Sequence, residues 1–189
     1  MNALFPTSNK LIRNTLISGL SIFAVCTTLI LLDHGYLLFL FLLIVPGFMY
    51  GLAIGSYINI NKNSGLFIWA STLVYIICFY LIICSYGSVS PVKIILCGWL
   101  GAALLFVCYY FLINKTIIFL PSFVRFSLAG IIGSIPSAIC CYFFDSGRYS
   151  VFSILHNLFY IGINSVFPLW QFLFSLALLK VKKMPELEY

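Results

Sequence analysis

The last apolar stretch of the chain, Val151 to Leu179, carries Ser153, Asn157, Tyr160, Asn164, Gln171 and Ser175. At about 100° per helical residue these six side chains fall within an arc of about 60°, and Pro168 lies beside the same stripe. Hydroxyls and carboxamides in such a register can hydrogen-bond a neutral partner. Amides facing lipid would be left unsatisfied, so the stripe is expected to face the bundle interior or a cavity. It can serve there in two ways. It can line a path for a solute or a lipid headgroup, or it can tie helices together through bonds worth about 0.6 kcal/mol each. His156 sits about 80° from the stripe, where it can titrate, bind a ligand, or act as a hydrogen-bonded interfacial residue.

Other chemistry has less behind it. No Asp or Glu falls inside an apolar stretch, which argues against a proton relay, an intramembrane aspartyl protease and a carboxylate-coupled pump. Asp33 and His34, with Asp145 and Arg148, mark two turns and are candidates for a small exoplasmic polar cluster. Asp also supports turn backbone with no further role. The seven cysteines, Cys26, Cys78, Cys84, Cys97, Cys108, Cys140 and Cys141, lie in apolar surroundings without a CxxC or Cys/His spacing, and read as small core residues. There is no nucleophile elbow, P-loop, dinucleotide fingerprint or zinc-protease helix motif. Neither a metal nor a cofactor is expected, and an enzyme has no motif in its favour.

The elements that must position these residues follow from composition. Of 189 residues 63% are apolar and 7% charged, against about 45–50% and about 25% in soluble domains. With a mean hydropathy of +1.14, both a soluble domain and a disordered chain are excluded. The expectation is an all-α integral membrane protein, a six-transmembrane-helix bundle with no extramembrane domain. The spans read as 15–32, 36–57, 66–86, 92–113, 126–144 and 151–179. Each is near the roughly 20 residues a bilayer requires, and none shows the alternation of a barrel strand. The first lacks a cleavage site and reads as an uncleaved span.

With both termini cytoplasmic, Lys10, Arg13, Lys62, Lys115, Arg125, Lys180, Lys182 and Lys183 face the cytoplasm and only Lys93 and Arg148 face out, which is the positive-inside pattern. The formal charge of +6 therefore reports topology. Scattered basic residues do not make the stripe a nucleic acid needs. The bacterial cytoplasmic membrane is the default location, since the loops are minimal and no usable glycosylation or retention signal is present.

Gly47, Gly51 and Gly55 form two consecutive GxxxG steps on the second span, which let another backbone approach closely. The fifth span offers a matching surface of Gly130, Ser134 and Ala138, with Ala129, Gly133, Ser137 and Cys141 beside it. Spans two and five are therefore expected to pair. Pro46 and Pro136 remove a backbone hydrogen bond from these spans and are expected to break them, as Pro168 is in the sixth. Two functions fit. One is a small transporter or membrane-embedded substrate-binding subunit for a neutral or weakly polar solute or lipid. The other is a non-catalytic interaction protein, such as an assembly, exclusion or immunity factor, docking a membrane partner or a second copy through its small-residue faces.

Overall fold

Apolar runs of this length satisfy their backbone polar groups inside lipid only by coiling into helices. The computed structural model describes residues 8–32, 34–55, 63–84, 90–144 and 166–180, and among them the chain is all-helical. The helices are α1 (Ser8–Leu31), α2 (Gly35–Gly55), α3 (Ser64–Cys84), α4 (Pro91–Leu112), α5 (Phe119–Phe144) and α6 (Val166–Leu179). Five of them, α1 to α5, are long and apolar enough to cross a membrane. Their outward faces are apolar too, with Trp69 and Leu120 largely exposed. Of the expected sixth span, 151–179, only the part from Val166 onward is described.

The local signals explain most boundaries. Ser90 accepts from the Lys93 N–H at the head of α4, and Pro91 follows at the first helical position, where its missing N–H costs nothing. At the other end the Asn63 side chain donates to the Leu112 carbonyl at 2.9 Å, and Asn114 Oδ1 accepts from the Thr116 N–H at 3.0 Å to close a turn. Two starts differ from the sequence reading. α1 begins at Ser8 and not at Thr15, and α5 at Phe119 and not at Phe126. Both extensions carry basic residues, Lys10 and Arg13 in one and Arg125 in the other. Their long stems let charged heads reach a membrane surface while the backbone stays helical.

Consecutive helices pack as neighbours, and α6 closes the arrangement by lying against both α5 and α1. Each neighbour is antiparallel to the last. Phe126 early in α5 meets Phe174 late in α6 with ring centroids 4.5 Å apart, and the Arg125 guanidinium donates to the Lys180 carbonyl just past α6. Lys10, Arg13, Lys115, Arg125 and Lys180 thus share one end of the bundle, with Lys93 at the other. A column of rings fills the centre: Phe106 stacks on Phe126 at 4.8 Å, Phe174 on Trp170 at 5.4 Å, and Tyr50 meets Trp170 edge-on at 5.5 Å. Such pairs add about 0.5–1.5 kcal/mol each beyond the area they bury.

The expected pairing of spans two and five is not what forms. Gly47 and Gly51 receive α3: a Cβ on Gly47 would stand 2.8 Å from the Thr72 Cα, and one on Gly51 2.8 Å from the Ile68 Cα. The Ser71 hydroxyl donates to the Gly47 carbonyl at 2.8 Å across this contact. Gly130 and Ser134 receive α4, and a Cβ on Gly130 would collide with the Gly98 carbonyl. Short connections bring sequence neighbours together first, so each small-residue face is used by the adjacent helix. The prolines do not interrupt the helices either: α2 runs unbroken through Pro46 and α5 through Pro136. Pro168 lies in α6 three residues into its described part.

Candidate functional site

A hydroxyl in a membrane helix can satisfy itself by donating to the carbonyl one turn back. Thr15 does so to Leu11 at 2.9 Å, Thr72 to Ile68 at 2.9 Å, Ser134 to Gly130 at 3.0 Å and Ser175 to Gln171 at 2.8 Å. A carboxamide presents an NH2 and a C=O together and has no such local remedy. Among the described residues Gln171 is the buried carboxamide. It is fully enclosed, and neither its Nε2 nor its Oε1 has a hydrogen-bond partner. An unsatisfied buried group costs about 1–3 kcal/mol, so the position is expensive.

Two helices reach it, and a third lies one turn along. A Cβ on Gly19 of α1 would stand 3.3 Å from Gln171 Oε1. The Tyr75 hydroxyl of α3 approaches the Gln171 amide, and the Tyr50 hydroxyl of α2 approaches Ser175 one turn along α6. Neither Gln171 amide atom nor the Tyr50 hydroxyl completes a bond with proper geometry, and the Ser18 hydroxyl beside Gly19 is also buried without a partner. The walls are aromatic: Tyr75 meets Trp170 edge-on at 6.2 Å, and Tyr50 meets Phe174 in the same way at 5.6 Å. Among the described residues every buried polar side chain is neutral.

Glycines hold α6 in this position. A Cβ on Gly19 would lie 2.6 Å from the Pro168 Cα, and one on Gly133 of α5 would lie 2.8 Å from the Trp170 Cα. The Trp170 indole N–H crosses to α4 and donates to the Gly98 carbonyl at 3.1 Å. Both helices thus approach the α6 backbone more closely than any side chain would permit.

The structure brings together Gln171 and Ser175, the two members of the expected stripe that it describes, and places both inside. Asn157, Tyr160, Asn164 and His156 lie outside the described residues, as do Ser153, Asp33, Asp145 and Arg148. His34 is exposed at the α1–α2 turn, where its N–H donates to the Leu29 carbonyl at 2.9 Å. Gly55 has only the Ile68 side chain nearby, and Ser137 is buried in α5. Sequence reasoning missed Tyr50, Tyr75, Trp170 and Gly19. Tyr50 was findable, as the polar-tipped residue between Gly47 and Gly51 on a helix built for close approach. A lone glycine at position 19 gives no such signal.

Among the described residues no group of three or more His, Cys, Asp and Glu side chains could hold a metal ion. The chain matches no protein-family model, no curated protein and no solved structure. What the site offers is a paired donor and acceptor, two phenols and aromatic walls, all uncharged.

Proposed function

We propose that this chain is a polytopic membrane protein with six spans that binds a small neutral or weakly polar molecule at its centre, as a small transporter or a membrane-embedded substrate-binding subunit. The observation that carries the reading is the enclosed Gln171 amide with both polar atoms unmatched. A bundle that needed only helix association would be better served by a leucine there, because an apolar side chain of similar size avoids the desolvation cost. A ligand carrying hydrogen-bonding groups supplies what the chain withholds.

Six spans are supported by the geometry of α6. Its 14 residues rise about 21 Å, short of a bilayer core of about 30 Å. Its first turn packs at the level of Gly19 and Gly133, midway along α1 and α5. By sequence, the apolar stretch from Val151 is long enough to account for the difference. The basic end shared by Lys10, Arg13, Lys115, Arg125 and Lys180 suits a cytoplasmic face with both termini on it, in a bacterial cytoplasmic membrane. Docking a membrane partner through the glycine faces is the weaker reading, since α3, α4 and α6 already cover Gly47, Gly51, Gly130 and Gly133.

Native mass spectrometry of the gently extracted protein, with fragmentation of whatever stays bound, tests the reading. A stoichiometric small molecule or lipid, lost in Gln171→Leu and Asn164→Leu, supports it. A bound protein without any small ligand overturns it in favour of an interaction role.

A further inference from the structure

The outer face of α6, turned away from Gln171, forms a groove. Leu169, Leu173 and Leu176 share one helical stripe, which continues to Lys180. The Lys180 N–H still donates to the Ala177 carbonyl at 3.2 Å. The stripe is recessed, because Gly19 and Gly133 draw the α6 backbone in against α1 and α5. The most exposed apolar side chain described on α6 is Leu169 at 39%, against 55% for Leu20 of α1 and 51% for Ile132 of α5. Leu20 and Ile132 stand on the outer flanks of the two glycine contacts, since Ser18 and Ser134 on the opposite flanks are buried. The α6 leucines are thus a floor, and α1 and α5 are the walls.

The mouth of this groove is basic. Arg13 lies seven residues before Leu20, and Arg125 seven before Ile132, which is two turns along the same helix faces. Both point the groove toward the end where Lys180 completes the floor. The Arg125 guanidinium donates to the Lys180 carbonyl, and with five N–H donors it retains capacity for a phosphate. None of the described residues is acidic, so no carboxylate among them balances these three charges. The eleven residues from Leu169 to Lys180 span about 16 Å, which matches the roughly 15 Å hydrocarbon depth of one leaflet.

We infer that the groove between α1, α6 and α5 holds one anionic phospholipid, its phosphate bound by Arg13, Arg125 and Lys180 and one acyl chain lying along Leu176, Leu173 and Leu169. A free phosphate would use the mouth and not the floor. The site lies on the lipid-facing side of α6 and is independent of the ligand proposed for the bundle centre.

The test titrates the full chain in detergent micelles with phosphatidylglycerol and with phosphatidylcholine of the same acyl chains, read by native mass spectrometry. One phosphatidylglycerol bound at least about tenfold more tightly than phosphatidylcholine is the expected result. Arg13→Gln and Arg125→Gln, which keep a hydrogen-bond donor, should each weaken it about fivefold, the worth of one basic side chain at an anionic lipid surface. Leu176→Trp, which fills the floor, should weaken it too. Lys115→Gln removes a charge from the same end of the bundle, outside the groove, and should leave binding unchanged. Equal affinity for the two lipids overturns the site, as does an equal loss in Lys115→Gln and Arg125→Gln, which would assign the effect to general surface charge. Displacement of the lipid by inorganic phosphate overturns the acyl-chain placement. Selectivity that emerges only in the Glu186→Gln/Glu188→Gln double variant gives the mouth to the chain's own C-terminal carboxylates and overturns the proposal as well.

Discussion

The Trp170 indole N–H donates to the Gly98 carbonyl 3.1 Å away, joining α6 to α4 across the aromatic core. Glycines bring the three helices together around this bond, since Gly133 lets the Trp170 backbone approach α5 and Gly130 lets α5 close on the Gly98 carbonyl. Trp170→Phe keeps a ring in the column but removes the donor and part of the volume. The expected loss is about 1–2 kcal/mol, read as a lower melting temperature by circular dichroism in detergent. An unchanged melt would mean that the bond contributes nothing net.

Gln171→Leu should raise stability and remove ligand binding together. The unmatched amide is a burden to the apo bundle of about 1–3 kcal/mol, and a leucine of similar size removes it. A denaturation midpoint below that of the parent would show that the amide is structurally engaged, against the present account.

The two α2 glycines at different depths of contact should answer differently to a single methyl group. Gly47→Ala places a carbon 2.8 Å from the Thr72 Cα, while Gly55→Ala meets only the Ile68 side chain at 3.7 Å. Overpacking against backbone costs about 1–3 kcal/mol, whereas Gly55→Ala should stay within about 0.5 kcal/mol. Equal melting temperatures for the two variants would contradict the α2–α3 contact.

Lys115 and Lys93 occupy opposite ends of the bundle, at the α4–α5 turn and the head of α4 respectively. In a background lacking the native cysteines, Lys115→Cys should react with a membrane-impermeant maleimide only from the cytoplasmic side, in inverted vesicles. Lys93→Cys should react only in intact cells. The reverse pattern would invert the proposed topology.

Helix content was readable from the sequence because hydropathy over about 20 residues depends on nothing distant. The inward placement of Gln171 and Ser175 was readable for a related reason, since angular spacing along one helix is a local property. Partner choice was not. The faces of Gly47 and Gly130 announce that some backbone comes close, but small residues do not encode which one, and chain proximity assigned them to α3 and α4. The starts of α1 and α5 lie outside the apolar runs, and hydropathy marks the apolar run and not the end of the helix. Lys10, Arg13 and Arg125 lie within helices whose backbones extend past the apolar run. Tyr75 was invisible as a site residue, since nothing in its own segment distinguishes it from other aromatic positions.

The order of the helices along the chain gives the glycine contacts of α6 a temporal meaning. During synthesis α1, α4 and α5 precede α6, so Gly19, Gly98 and Gly133 must wait as an unfilled cleft until Pro168 and Trp170 leave the ribosome. The first five helices can pair as they emerge, each on its predecessor. The step that brings Gln171 between α1 and α3 comes only after α1 to α5 have been made. Closure of the bundle and creation of its polar centre are therefore one event, and a chain stopped before Val166 would insert yet leave that cleft open to lipid.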